Sequence, residues 1–354
     1  MTEKLLWKKV LAVILVFMMV LPIVSLNAFM LDDTAYDAAM TNARSYIDGL
    51  TVNSSTNVPS TVVSTYGSQF SWDNEKRESA NKSYLFEWSY YNGVVFEGLQ
   101  YTYEATKDSK YLNYVSDYMS AMISSSGGWA KTTNNSSKDA AGYVDYHGAD
   151  CYKTASLLMD LALKSDGTVD TTSKYYKMAT TIYSDLTTGT GSNYTESSLG
   201  GNYWHGGWTG SAPTYKVWLD GIYMIQPFMA EYAYYTGDTA QLDSIVDRFE
   251  WIYTNMREAG TGLYYHAANS STKYVNYHWT RAIGWYAMAI VDVMQYMSGD
   301  NLATMQTILK DLVDNMLPYQ DSSTGMWANL CDKSVTSTNR LETSGTSMLA
   351  YTIA

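Results

Sequence analysis

Two cysteines in 354 residues, Cys151 and Cys331, stand far apart in the chain, which excludes a disulfide framework and any zinc-type cysteine spacing. A single bridge between them stays open. Positive charge is also short, with 23 Lys and Arg against 35 Asp and Glu and a formal net charge of −12. So acidic a chain is a poor partner for nucleic acid, and an anionic ligand would need its own local Arg or Lys. Phenylalanine is scarce, at 7, whereas Tyr reaches 33 and Trp 11. These amphipathic rings suit wet clefts that stack sugars, although tyrosine-rich surfaces also occur without any catalytic role. No linker or shift in composition divides the body, so one domain over residues 29–354 is expected.

The only long apolar run is at the start. Met1-Thr-Glu-Lys-Leu-Leu-Trp-Lys-Lys9 is basic, residues 10–24 are apolar apart from Pro22, and Ser25-Leu-Asn-Ala28 offers small residues. This is the plan of a secretory signal peptide over residues 1–28. Extended to Leu31, the same stretch reaches spanning length and reads as a retained anchor. Either way the body is expected outside the cytoplasm, secreted or tethered by this segment. Cleavage would remove three lysines and one glutamate, leaving the body two charges more negative.

Beyond a helix expected over residues 31–50, opened by Asp32-Asp33, the chain repeats itself. Gly93 to Asp108 reads as an apolar helix ending in a polar turn, and Tyr111 to Ile123 as a second helix returning from it. The plan recurs at 155–166 with 174–186, at 221–238 with 241–256, and at 284–300 with 302–316. The turns Thr106-Lys-Asp108, Ser165-Asp166, Thr236-Gly-Asp238 and Ser298-Gly-Asp300 recur at roughly 60–70 residues, longer than ordinary solenoid repeats. In each pair the first helix is the more apolar, which predicts inner helices ringed by outer ones. A closed ring needs no polar capping unit. A final segment, 342–354, starts another inner helix. If the ring holds six hairpins, the chain lacks about two helices.

The chemistry-bearing residues fall in the loops ahead of inner helices. His147, His205, His266 and His278 all lie there, each beside an aromatic. His147 and Cys151, at helical i, i+4 spacing, outline a metal pair with no evident acidic third ligand. Asp220 follows Trp218 by two residues at the start of an apolar helix, a setting that holds a carboxyl protonated near neutral pH. The competing reading is a helix cap. Asp150 carries the same pair of readings. Two acids converging from different hairpins can divide acid and base roles. Arg281 is the cation at the same end, suited to two-point binding of a carboxylate or, alternatively, to a salt bridge with a loop acid.

Lys216-Val-Trp-Leu-Asp-Gly-Ile-Tyr-Met224 with Pro227-Phe228, Trp279-Thr-Arg-Ala-Ile-Gly-Trp-Tyr286 and its continuation to Val293, and Leu341-Glu-Thr-Ser344 with Ser347-Met348 resemble glycoside hydrolase family 105. These are the unsaturated rhamnogalacturonyl hydrolases, related to the family 88 unsaturated glucuronyl hydrolases. The resemblance runs from about Trp88-Ser-Tyr90 through Gly201–His205 to the end. It implies an all-α (α/α)6 barrel. It makes Asp220 the general acid/base and Asp150 its partner carboxylate. The family pattern has a glycine five residues after this Asp, where this chain has Ala155, so Asp145 is kept as an alternative. His266 and Arg281 match substrate-engaging positions.

The implied reaction hydrates the C4=C5 bond of an unsaturated uronic acid at the non-reducing end of a pectin-derived oligosaccharide. Arg281 with Lys216 would face the carboxylate. His205, Trp218, Trp88, Trp279, Trp204 and Tyr265 would line or wall the pocket. No metal or organic cofactor is implied. Two rival readings remain: an inverting glycosidase acting on saturated sugars through Asp150 and Asp220, and a secreted carbohydrate-binding protein without turnover.

Overall fold

A computed structural model of the chain describes residue 88 and residues 90–128, 148–188, 195–206, 215–270, 273–275 and 277–353. The expected leader over 1–28, the helix over 31–50, His147 and Asp145 lie outside these residues. Among the described residues the chain is mostly helical, as the repeat predicts. Helix α1 (Tyr90–Thr106) returns as α2 (Ser109–Met122), and a 3-10 helix (Ala149–Leu157) runs into α3 (Leu158–Ala162) and returns as α4 (Lys174–Thr188). The later pairs are α5 (Leu219–Thr236) with α6 (Thr239–Asn255) and α7 (Thr280–Met294) with α8 (Gly299–Met316), followed by α9 (Thr343–Ile353). None of these helices is long and apolar enough to cross a membrane.

The recurring polar turns are helix punctuation. Lys107 and Gly237 adopt left-handed backbone at φ 58° and 76°, and the Asp after each caps the returning helix. Asp108 accepts from Lys110 N at 3.1 Å and Asp238 from Gln241 N at 3.1 Å. Each satisfies a backbone donor that the first helical turn leaves unpaired.

The described residues form two compact units. The first holds α1, α2, α3 and α4 up to Ser184. Here the expected inner helix over 155–166 is α-helical only at Leu158–Ala162, and the residues leading into it, Ala149–Leu157, are 3-10. Ser156 turns its hydroxyl onto the Lys153 carbonyl at 2.8 Å, a side-chain bond that competes with regular helix. Lys153 is fully buried against Glu97 at 2.8 Å. Gly93 lets α1 press on this segment, since a Cβ there would stand 2.8 Å from Thr154 N.

The second unit holds residues 148–150 and the chain from Asp185, including α5 to α9. Helices α5 and α7 are buried almost all round, whereas α6 and α8 bury one face each. That is the inner and outer distinction expected from their composition. Each fully buried Leu, Ile, Met or Phe on α5 and α7 contributes about 1.5–3 kcal/mol. Short strands knit the loops at the starts of the inner helices. β1 (Val217–Trp218), β2 (Ala267–Ser270) and β3 (Lys273–Tyr274) form an antiparallel sheet pairing Trp218 with Ala267 and Ala268 with Tyr274. β4 (Trp327–Ala328) pairs with β5 (Leu341–Glu342).

Helix α7 crosses α9 at Gly284, where a Cβ would lie 2.8 Å from Met348 Cβ. No rotamer of Met348 relieves that contact, because its Cβ is fixed to the backbone. Alanine gains about 1 kcal/mol of helix propensity at such a position, and overpacking costs about 1–3 kcal/mol. Gly284→Ala is therefore expected to lower stability by about 1 kcal/mol, read from the urea midpoint. An unchanged or raised midpoint would show slack between the two helices.

Candidate active site

Four chain segments meet edge to edge in the second unit. Ala149 N donates to His205 O at 2.7 Å, His205 N to Lys216 O at 2.7 Å, and Lys216 N to Ala268 O at 3.0 Å. Leu219 N then bonds His266 O at 3.1 Å. This ladder brings Asp150, His205, Asp220 and His266 into one cluster from positions scattered over more than a hundred residues. The His205 segment is itself pinned: Gly200 and Gly201 turn at φ 64° and 70°, and Asn202 Nδ2 donates to Leu199 O and Arg248 O.

Trp218 sits between the two histidines. Its indole stacks on His205 with ring centres 4.5 Å apart and planes at 15°, and meets His266 edge-on at 4.8 Å. Asp220, in the first turn of α5, places Oδ2 3.0 Å from His266 Nε2. The α5 backbone leaves room for His205 only because the next residue is glycine: a Cβ on Gly221 would come within 3.1 Å of His205 Nδ1. That nitrogen has no hydrogen-bond partner among the described residues. Its Nε2 faces Asp150 Oδ1 at 3.7 Å.

Asp150 lies in the first turn of the 3-10 helix and keeps 45% of its side chain exposed. Its carboxyl is nonetheless held above the usual carboxylate range. Desolvation by the surrounding protein is the largest cause, His205 opposes it, and the charge of Asp220 adds to it. The two acids are thus close enough for one to act on the other's titration.

A second ladder sets the other wall. Cys331 N donates to His278 O at 3.1 Å, Thr280 N to Asn329 O at 2.9 Å, and Asn329 N to Arg340 O at 2.8 Å. Trp279, at the start of α7, anchors its indole N–H on Asn329 Oδ1 at 2.9 Å and presents its ring edge-on to His266 at 5.0 Å. Arg281 lies over Trp279 at 4.2 Å, with Glu342 Oε1 3.9 Å away, and keeps 41% of its side chain exposed. Both of its sequence readings, open cation and neighbour of a loop acid, are therefore present at once.

Other expected site residues are placed differently. Lys216 spends its ammonium on Glu196 and on the face of Trp204 at 4.4 Å, and Trp204 is buried. Tyr265 stacks on His278 at 4.9 Å and donates to Glu258 at 3.0 Å. It points away from His266 because successive residues of an extended segment alternate sides. His278 is buried between Glu258 and Asp332, 3.8 and 3.5 Å from its ring nitrogens, next to Trp279 in sequence and turned away from the cluster around His266. Trp88 belongs to the first unit and is buried there. The metal pair suggested by spacing rests on His147, outside the described residues. No group of three or more His, Cys, Asp or Glu among the described residues is placed to hold a metal. Sequence reasoning missed Tyr277, whose hydroxyl is 3.1 Å from His266 Nδ1. Nothing in its spacing separates it from the other 32 tyrosines.

The model of Glycosyl Hydrolase Family 88 matches residues 67–354. The 24.9 kDa protein in picA locus of Rhizobium radiobacter is 28% identical over 137 residues, 36% of this chain and 58% of that protein. The chain thus spans under two thirds of that relative's length. Among solved structures, a glycoside hydrolase from family 105 of C. acetobutylicum is 24% identical with a TM-score of 0.62, over 80% of this chain and 74% of that one. The unsaturated glucuronyl hydrolase of Bacillus sp. GL1, responsible for the degradation of glycosaminoglycan, is 12% identical with a TM-score of 0.52, over 99% and 95%. At these identities the structural likeness establishes the fold.

Because Asp220 raises the Asp150 pKa and His205 lowers it, the two neighbours predict opposite shifts. Asp220→Asn removes a negative charge and should lower the Asp150 pKa, and His205→Ala should raise it. Carbon-13 NMR titration of the Asp150 carboxyl reads both; shifts of the same sign would contradict the arrangement.

Proposed function

Because the chain belongs to Glycosyl Hydrolase Family 88, we propose that it removes an unsaturated 4-deoxy-uronic acid from the non-reducing end of oligosaccharides. The observation that carries this reading is the Asp220–His266 pair at 3.0 Å, with Asp150 as a second acid and Arg281 as an open cation nearby. Arg281 engages the substrate carboxylate, which is coplanar with the C4=C5 bond and suits a planar guanidinium. Asp220 acts as the acid and delivers a proton to C4. Positive charge then develops at C5, stabilised by the ring oxygen, and water adds there while ionised Asp220 takes the water's proton. The hemiketal opens at the C5–O5 bond, and the hemiacetal left at C1 releases the attached sugar. One carboxyl thus serves as acid and base in turn.

The family-105 motifs support rhamnogalacturonan fragments as the substrate, with rhamnose as the sugar released. The basic start and apolar run of residues 1–28 support action outside the cytoplasm, on polymer fragments. The conjugated acid absorbs in the ultraviolet, so turnover is read directly as loss of absorbance on a panel of unsaturated disaccharides. Hydration destroys the unsaturated ring, whereas an inverting glycosidase would leave an intact sugar. A carbohydrate-binding protein would hold the disaccharide with no change in absorbance.

Asp220→Asn is expected to lower kcat by about 10²–10⁴, the usual worth of a positioned acid or base. Wild-type rates in this variant would remove Asp220 from the chemistry. Arg281→Lys keeps the charge and loses the planar two-point contact, so KM should rise about tenfold with kcat altered far less. Unchanged KM would assign carboxylate binding elsewhere.

A further inference from the structure

His266 has two nitrogens and both are committed. Nε2 faces Asp220 Oδ2 at 3.0 Å, and Nδ1 faces the Tyr277 hydroxyl at 3.1 Å. The imidazole itself is 5% exposed, whereas Tyr277 is 38% exposed. A continuous hydrogen-bonded line therefore runs from a group open to solvent, through a buried ring, to the carboxyl at the start of α5. A neutral imidazole carries one proton, so its two neighbours must take complementary roles. When Asp220 is ionised, Nε2–H donates to it and Nδ1 accepts from the phenol. When Asp220 is protonated, it donates to Nε2, and Nδ1–H donates to the phenol oxygen.

A hydroxyl is the side-chain group that serves both states without moving, because its proton rotates while its oxygen stays in place. Asn, Gln or a backbone carbonyl in its place would satisfy one tautomer and oppose the other unless it turned over. We propose that Tyr277 is the outer member of a Tyr277–His266–Asp220 relay that lets His266 change tautomer as Asp220 gains and loses its proton. The step balances. A proton taken up at the phenol oxygen from solvent displaces the phenol proton onto Nδ1, and the Nε2 proton passes to Asp220. The reverse sequence returns it. Tyr277 acts through His266 and is a positioning residue.

The surroundings fit this role. Around the line, Asp220 and Asp150 are the acids, His205 stacks on Trp218, Tyr215 is the nearby phenol, and Arg281 lies over Trp279 with Glu342 beside it. Burial first, then Asp220 and Tyr215, hold the Tyr277 phenol above its ordinary pKa, so it keeps its proton at neutral pH. Trp218 and Trp279 close on the imidazole edge-on at 4.8 and 5.0 Å and keep its plane fixed. The ring can then exchange protons without rotating.

The inference rests on the proposed reaction, and the experiment separates the two. Tyr277→Phe keeps the ring near His266 and removes only the hydroxyl. With a turned-over disaccharide, kcat is expected to fall about tenfold with KM within about twofold. A loss confined to KM would make Tyr277 a substrate contact and overturn the relay, as would an unchanged kcat. Nitrogen-15 NMR of His266 needs no turnover. In the wild type the neutral ring should pass from the Nδ1–H to the Nε2–H tautomer as Asp220 ionises, and in Tyr277→Phe this coupled change should be lost. A tautomer change identical in both proteins would overturn the proposal. Should the wild type consume no unsaturated disaccharide, the reaction assigned above fails while the NMR arm still decides the relay.

Discussion

Everything at the site depends on backbone pairing between loops that carry no long strands. Ala149, His205, Lys216 and Ala268 are joined by three backbone N–H to C=O hydrogen bonds of 2.7, 2.7 and 3.0 Å, and Leu219 adds a fourth to His266. Each is worth about 1 kcal/mol net, which is modest, but together they fix the direction in which every functional side chain leaves the backbone. Asp220 and His266 lie 46 residues apart in sequence. What brings them to hydrogen-bonding distance is the register that opposes Trp218 to Ala267. A slip of one residue would send His266 to the face now taken by Tyr265, since alternate residues point to opposite sides.

The helices supply rigidity to that arrangement, and chemistry is added at their starts. α5 and α7 are buried along nearly their whole length, so their first turns, carrying Asp220 and Arg281, cannot shift without disturbing the core of the second unit. Glycine marks two places where this packing reaches backbone. Gly221 admits His205 and Gly284 admits Met348. The first shapes the site and the second shapes the support beneath it.

The hairpins and their turns were legible because helical periodicity and the Asp-capped polar turns are local signals. Asp220, Asp150 and Arg281 could be named as candidates for the same reason, since each stands where a loop becomes a helix, and His205 and His266 because each lies in a loop beside an aromatic. What could not be read is decided by distant partners. The 3-10 segment owes its form to Ser156 and to the burial of Lys153 on Glu97. The ladders are built from two- to four-residue strands, too short to show alternation. Lys216 could have faced a ligand, and only the folded position of Glu196 and Trp204 shows where its charge is used. Tyr277 carried no signal in a chain with 33 tyrosines.

Those unreadable contacts also explain how two carboxyls of like type come to differ. Asp150 is partly open, with a histidine at 3.7 Å. Asp220 is 13% exposed and bonded at 3.0 Å to an imidazole clamped by two indoles. The first meets solvent directly, whereas the second is less open and is hydrogen-bonded to a histidine that Trp218 and Trp279 hold in place. A buried acid that must be both donor and acceptor within one reaction needs a neighbour able to reverse its own hydrogen bonds. Imidazole does so only if the group beyond it can reverse as well, and a phenol at the solvent edge meets that condition without any movement of the backbone.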